Sequence, residues 1–371
     1  MTSPGQRIAL GTGIHQLKWL EETRAGQEML AASRQGNRRP RCMCVPGGIE
    51  MYIGRRGRLF YLSRMPGTGS LHADSCASGE STTLFSGIHA YAPGALVEQS
   101  DGVICLSSDI EQRARQTPPL TMVSIDGVLD ALIEQADLNR ISPDDPARTW
   151  SAVRGKLAEA AHWILLGGQS LSQVLYLPES YDKTRAVASL NACESFITTA
   201  SKPVLLCAPL KDLSCSDYSW KVNLKHLPGL RLWVAKDVAA EIERRLGTPV
   251  FSQPPRYSLC LALTKPGRRA GNYTVTNLAL IATDHNYFPC QPERVAQIAA
   301  ELLASGHSLL RPLRFDCEPG HALADLALLD ADDPVPVFVL SPSGIEALDL
   351  GKRRLANVMQ RNKASLRIFE A

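Results

Sequence analysis

Two short pairs of residues in this chain have the chemistry and spacing of metal ligands. Cys42 and Cys44 have one residue between them, and His72 and Cys76 have three. Zn²⁺ takes four thiolate, imidazole or carboxylate ligands in a tetrahedron, and three cysteines with one histidine are a standard structural set. With all four positions taken by protein, the ion has no place for a catalytic water and acts as a staple. His89 is a rival for the fourth position. The competing reading is three unrelated cysteines and a surface histidine.

The elements between the pairs must bring them together. GGIEMYIGRRGRLFYLSRM alternates apolar and polar residues, with Met51 and Ile53 before Arg55-Arg56-Gly57 and Leu59 and Tyr61 after it. That pattern predicts a β-hairpin. Val45-Pro46-Gly47-Gly48 and Pro66-Gly67-Thr68-Gly69 flank it as turn-prone segments that let the ligands converge without strain. From Arg34 to Arg64 there are eight arginines and one acid, Glu50, a net +7. Tyr52, Phe60 and Tyr61 lie among them. Arginine offers phosphate a bidentate fork, and aromatic rings offer bases a stacking surface. Arg38, Arg39, Arg41, Arg55, Arg56, Arg58 and Arg64 are therefore the candidate nucleic-acid contacts. The bland alternative is a hairpin edge that carries positive charge to prevent aggregation.

The fold class predicted for the chain is α+β and multidomain. Residues 1–37 read as an N-terminal arm with a helix from His15 to Ala32, and 38–124 as a zinc-binding β module with further strands in STTLFSGI, GALVEQS and GVICLS, closed by Pro118-Pro119. Residues 125–200 read as a helical module. Its two helices, polar break and following strand resemble a winged-helix-like unit, with a plain helical linker as the alternative. Residues 201–290 are β-rich, with one helix at 237–246. Residues 291–371 follow the order helix, three strands, helix, strand, with Pro292 near the first turn of the first helix.

RPRCMC followed by GGIEMYIGRRGRLFYLSRMPGTGSLHADSC resembles the signature of a bacterial family known as domain of unknown function 1173. The resemblance continues through VLDALIEQADLNRISPDDPARTWSAVRGKLAEAA, QSLSQVLYLPE and VNLKHLPGL to LLRPLRF and PVPVFVLSP, from about residue 38 to 341. Members occur on integrative and conjugative elements and plasmids. The resemblance implies an accessory protein of a mobile element, with DNA and mobile-element proteins as partners. It implies no established activity. Cys42, Cys44, His72 and Cys76 stand at the family's Cys and His positions.

The order at 291–371 is also that of restriction-endonuclease-like cores. Such a site needs an acid on the second strand, and an acid and a lysine on the third, to hold Mg²⁺ and polarise phosphate. Asp325 could serve on the second strand. The third strand, PVPVFVLS, has Phe338 and Leu340 where the acid and the lysine belong, so a domain degenerate in its catalytic positions is expected. Asp325 is then a solvated or capped strand residue that tolerates Asp325→Asn. Glu301, Asp316, Glu318, Asp330, Asp332, Asp333 and Lys352 are the groups from which a rearranged site could be built.

Composition excludes other classes. With 44% apolar residues and a net charge of +3, the 371 residues can build real cores and have no global polyanion character. No apolar run reaches the ~18 residues of a membrane span. The first residues lack the basic and apolar regions of a secretion signal, so the ten cysteines are expected as reduced thiols in a cytoplasm. GTGIHQ and PGTGS lack the full nucleotide-loop patterns, and no G-x-S-x-G occurs. The leading expectation is a non-catalytic, structural-zinc, nucleic-acid-associated protein. A Mg²⁺-dependent nuclease and a protein-protein scaffold are the alternatives.

Overall fold

The computed structural model describes residues 6–36, 38–56, 59–65, 68, 71–73, 76, 78, 84–91, 94–99, 103–108, 121–290, 293–317, 321–331, 334–340, 347–361 and 365–370. Gly57, Arg58, Pro66, Gly67, Gly69, residues 81–83, Pro118, Pro119, Pro292, Glu318, Asp332 and Asp333 lie outside the described residues. The architecture is mixed α+β with several sheets. Among the described residues no helix is long and apolar enough to cross a membrane.

The chain opens with β1 (Arg7–Leu10) and β2 (Gly13–Gln16), then α1 (Leu17–Glu22), α2 (Arg24–Gln35), β3 (Arg41–Cys42), β4 (Ile49–Arg56) and β5 (Leu59–Arg64). These strands form one sheet in the order β2-β1-β3-β4-β5. The expected N-terminal arm is thus corrected: residues 7–16 are a hairpin that pairs with β3, Ala9 opposite Arg41. Gly11, at φ 64°, supplies the left-handed conformation its two-residue turn needs. The single helix expected from His15 to Ala32 is broken at Thr23, whose Oγ1 caps α2 by accepting from Gly26 N–H. Leu20 and Leu30 of the two helices pack on Ile8, Leu10, Met51, Ile53 and Leu62. The helices also close the β5 edge. Gln27 accepts from Phe60 N–H at 2.7 Å and donates to Phe60 O at 2.8 Å, and Glu21 accepts from Leu62 N–H.

Next come β6 (Leu96–Glu98), β7 (Ile104–Leu106), α3 (Ile125–Gln135), β8 (Arg140–Ile141), α4 (Trp150–His162), β9 (Ile164–Leu166), β10 (Gln169–Ser170), α5 (Leu171–Val174), β11 (Leu175–Tyr176) and α6 (Ala186–Thr199). The strand expected in STTLFSGI is replaced, over residues 87–90, by a 3₁₀ turn. No self-contained winged-helix unit forms. β9 pairs in parallel with β7, and β8 joins a sheet built from the C-terminal residues.

The middle of the chain forms β12 (Val204–Cys215), β13 (Ser219–Leu224), β14 (Leu232–Ala235), α7 (Lys236–Leu246), β15 (Ser258–Pro266) and β16 (Tyr273–Ala282). Their pairings close a ring in the order β12-β13-β14-β16-β15 and back to β12, with β14 and β16 parallel. β12 is long enough to serve both neighbours. Residues 204–209 pair with β15, and 210–215 pair with β13, with a bulge between Leu210 and Asp212. The ring encloses Leu206, Ala208, Val222, Leu232, Val234, Cys260 and Ala262. Alternate residues of β12 and β15, among them Leu205, Cys207, Leu259 and Leu261, point the other way and share a core with α3 and α4. The helices of 125–200 are therefore packed on this ring, and a single core crosses the limits expected at 124/125 and 200/201.

The last elements are α8 (Glu293–Ala304), β17 (Leu309–Leu310), β18 (Leu326–Leu328), β19 (Val335–Leu340), α9 (Ala347–Arg361) and β20 (Arg367–Glu370). The sheet order is β20-β19-β18-β17-β8, with β19 and β20 parallel and the remaining pairs antiparallel. Val337 and Val339 pack with the α8 side, and Phe338 and Leu340 pack with Ala356 of α9. Asp316 ties three distant segments together. It accepts from Tyr91 Oη at 2.5 Å, from Ser124 N–H at 2.8 Å and from Ser124 Oγ. Gly127 is required beside this knot, since a Cβ there would lie 2.2 Å from Tyr91 Oη.

Asp325 is neither solvated nor a simple cap, which corrects the expectation for it. Both it and Lys352 are buried, and Lys352 Nζ lies 2.8 Å from Asp325 Oδ1. Val339 N–H donates to Oδ2 at 2.7 Å. The pair pins α9 to the sheet. Removing one partner strands a buried charge, which costs about 3–5 kcal/mol. Lys352→Met is expected to destabilise the C-terminal sheet by that order, read as faster amide exchange at residues 337–340. Arg311 also lies 3.9 Å from Asp325 Oδ1 with its side chain mostly buried, so Asp325→Leu should cost more than Lys352→Met, because it leaves two cations without their acid.

Candidate metal centre

The ligand pairs converge because the sheet alternates. Cys42 ends β3 with its side chain inward and fully buried, while Arg41 before it is exposed. The chain then turns through Gly47 and Gly48, at φ 86° and 67°. A Cβ on Gly48 would meet Met43 Sδ at 2.9 Å and Cys42 O at 3.3 Å, so the turn that carries Cys44 back needs glycine there. His72 and Cys76 arrive from the segment after β5, and both are buried.

Three Sγ atoms and one imidazole nitrogen lie within 4.8 Å of one another. Cys42 Sγ is 3.5 Å from Cys76 Sγ, and His72 Nδ1 is 3.3 Å from Cys44 Sγ and 3.6 Å from Cys76 Sγ. A tetrahedron with Zn–S near 2.3 Å and Zn–N near 2.0 Å has edges of about 3.5–3.8 Å. The observed separations match those edges. The donors around the sulfurs fit thiolates too. Gln6 Nε2 points at Cys42 Sγ at 3.1 Å, and Ser78 N–H points at Cys76 Sγ at 3.3 Å. The same Gln6 amide donates to Ser78 Oγ at 2.7 Å, which ties the two ligand segments together outside the ligands. The hydrogen bond between Cys76 and Cys42 holds the Cys42 thiol well below its usual range, and the same bond, with burial, pushes Cys76 up. A divalent cation removes that competition for one proton. These residues fit zinc.

The side chain of His89 lies outside the described residues; its 3₁₀ turn places Gly87 N–H on Leu313 O at 2.8 Å. The candidate arginines divide by strand parity. Arg38, Arg39 and Arg41 are exposed, and Arg39 lies 3.7 Å from exposed Glu50. Arg55 follows Met51 and Ile53 on the inward face. Its guanidinium sits 4.2 Å from the Trp163 ring centroid, and its carbonyl accepts from Gln135 Nε2. Arg64 stands opposite Met51 and is buried. Arg55 and Arg64 are thus engaged within the fold, Arg55 half-buried over an indole and Arg64 buried. Arg56 ends β4 opposite Leu59.

A sequence profile of the family described as "Protein of unknown function (DUF1173)" matches residues 13–368. The chain belongs to that family. The match takes in β2, the four Cys and His residues, the strand ring and nearly all of the C-terminal sheet. No curated protein and no solved structure matches it.

Among the described residues the remaining acids do not assemble into a metal site. Among the described residues the group of three cysteines and His72 is the one that could hold an ion. Asp316 serves Tyr91 and Ser124, Asp330 accepts from Ser308 N–H and pairs with His307 at 2.8 Å, and Glu301 is exposed. Sequence reasoning missed Gln6 and Ser78, and the spacing of the ligands held no signal for them.

The purified protein is expected to carry about one zinc per chain. Cys42→Ser and Cys76→Ser should each lower the zinc content by at least tenfold and expose the hairpin to proteolysis, since structural zinc supplies folding free energy. Elemental analysis checks the content. Full retention in both variants would remove the assignment.

Proposed function

We propose that this protein is a zinc-stapled, nucleic-acid-associated accessory protein whose N-terminal sheet presents arginines to a phosphate backbone. The observation that carries the reading is the exposure of Arg38, Arg39 and Arg41 beside the ligand turn, with Glu50 as the one acid from residue 34 to 64. Three arginines on the short segment that leads into β3 offer phosphate several forked donors. Arg7, also exposed, precedes Ile8 on the adjoining strand and extends the patch. The resemblance to proteins of conjugative and other mobile elements makes DNA the polymer we propose, in a cytoplasm, with proteins of the element as further partners.

A second reading, a Mg²⁺-dependent nuclease, draws support from one observation. The C-terminal strands run in the directions such a core uses, and Lys352 reaches Asp325 from the following helix. The chemistry opposes it. Asp325 gives Oδ1 to Lys352 and Oδ2 to Val339 N–H, and Phe338 and Leu340 are buried apolar residues. Mg²⁺ needs several oxygen ligands at near-octahedral positions. We therefore propose a non-catalytic role.

Replacing Arg38, Arg39 and Arg41 together by Ala is expected to weaken DNA binding uniformly across sequences. The slope of log K against log salt should flatten by about two to three. Zinc content should not change, and plasmid incubated with the protein and Mg²⁺ should stay intact. Unchanged affinity and slope would move the binding surface away from this turn. Displacement by an acidic protein but not by DNA would favour the scaffold alternative.

A further inference from the structure

The ring of strands in the middle of the chain has one covered side and one open side. On the covered side, Leu205, Cys207, Leu259 and Leu261 pack against α3 and α4. On the open side lie β13, β14 and the start of β16. Val222, Leu232 and Val234 point into the ring and are buried, so Lys221 and Trp233, which alternate with them, point out.

The register lines up a row across four strands. Lys221 stands opposite Trp233, Trp233 opposite Thr274, and Thr274 near Lys265 as its ladder partner. A half-buried indole thus has a lysine on the strand to one side and another two strands away on the other. No acid interrupts the row. The indole is held in place, since Trp233 Nε1 donates to Asn272 Oδ1 at 3.2 Å. Asn272 ends the turn between β15 and β16, which also carries exposed Arg268 and Arg269. At the far end of the face, the turn between β12 and β13 carries Tyr218, 88% exposed.

The ring's connectivity adds to this. Five strands close in the order first, second, third, fifth, fourth, with a helix, α7, between the third and the fourth. That is the connectivity of oligonucleotide- and oligosaccharide-binding barrels, in which the second and third strands and the first-second and fourth-fifth turns face the ligand. Here those parts are β13, β14, the Tyr218 turn and the Arg268-Arg269 turn. Connectivity alone does not assign a ligand. The side chains choose between the two classes. Lysines and arginines around an aromatic ring suit phosphates and a stacked base. A duplex hides its base faces within the stack, whereas a single strand can splay its bases onto an exposed ring.

We propose that this open face binds single-stranded nucleic acid, with Trp233 under a base and Lys221, Lys265, Arg268 and Arg269 on the flanking phosphates. The site is separate from the Arg38–Arg41 turn and does not require that reading. The test uses the full zinc-loaded chain and fluorescence anisotropy with a labelled oligothymidylate, against a duplex of the same length. The wild type should bind the single strand at least tenfold more tightly than the duplex. Trp233→Ala should weaken the single strand by about tenfold, as expected for one stacked base, and Trp233→Phe should restore most of it. Arg268→Ala/Arg269→Ala should lower the salt slope by about one to two. Neutral oligosaccharide should not compete.

Equal affinity for single strand and duplex, or competition by the oligosaccharide, would overturn the proposal, and both results come from the wild type alone. A single-strand affinity that ignores Trp233 but falls in the Arg38/Arg39/Arg41 variant would overturn it while leaving the N-terminal reading intact. The reverse pattern would support it and remove the other.

Discussion

Three thiols and an imidazole within 4.8 Å of one another make a poor core by themselves. Their donors and acceptors cannot all be satisfied by one another, and one sulfur gains a proton at another's expense. A tetrahedral cation converts the same cluster into the strongest cross-link in its neighbourhood. The N-terminal sheet is built around this cluster. β3 has two residues, too few to hold a register by pairing alone, yet it joins β1 to β4. Fixing Cys42 at its end fixes the register of both neighbours, and hence which side chains face outward. The arginine patch is exposed because the ligand is buried.

The module is not an independent bead on the chain. Arg55 lies over Trp163, and its carbonyl takes a hydrogen bond from Gln135, so the hairpin leans on α3 and on the turn after α4. The desolvated ring face favours the guanidinium over water. Arg55 thus ties the hairpin to the helical part of the chain. Similar economy appears at β5, where one glutamine amide stands in for a missing strand by matching both polar groups of Phe60.

Local features were legible in the sequence and distant ones were not. The ligands were readable because each pair is short and sits by a turn. The strands at 204–215, 232–235, 258–266 and 273–282 carry dense β-branched and leucine runs that announce themselves. The inward path of Arg55 and Arg64 was also readable in principle: both continue the parity set by Met51, Ile53 and Leu62, and charge was allowed to outweigh period. The hairpin at residues 7–16 was overlooked because four-residue strands barely alternate, although its Gly-Thr turn is a signal. β13 mixes Trp220, Lys221 and Asn223 with two apolar residues, a weak pattern until its partners are known. Nothing in Arg140-Ile141 foretells pairing with Leu309 and Leu310. Likewise, the neighbours of Lys352 in the sequence do not announce its burial, because the carboxylate that draws it inward comes from a different element.

The knot at Asp316 has a temporal side. Its partners Ser124 and Tyr91 lie 192 and 225 positions earlier in the chain. During synthesis those two groups, and the N-terminus of α3 that Ser124 caps, leave the ribosome long before the carboxylate that will accept from them. The N-terminal sheet takes its candidate metal ligands from residues no later than Cys76 and can close early. The body around α3 must wait in a partly ordered form, its apolar face open until the last quarter of the chain emerges. A nascent chain stalled ahead of residue 316 would therefore present a finished metal module attached to a sticky, unfinished core, which is the kind of intermediate that holdase chaperones recognise.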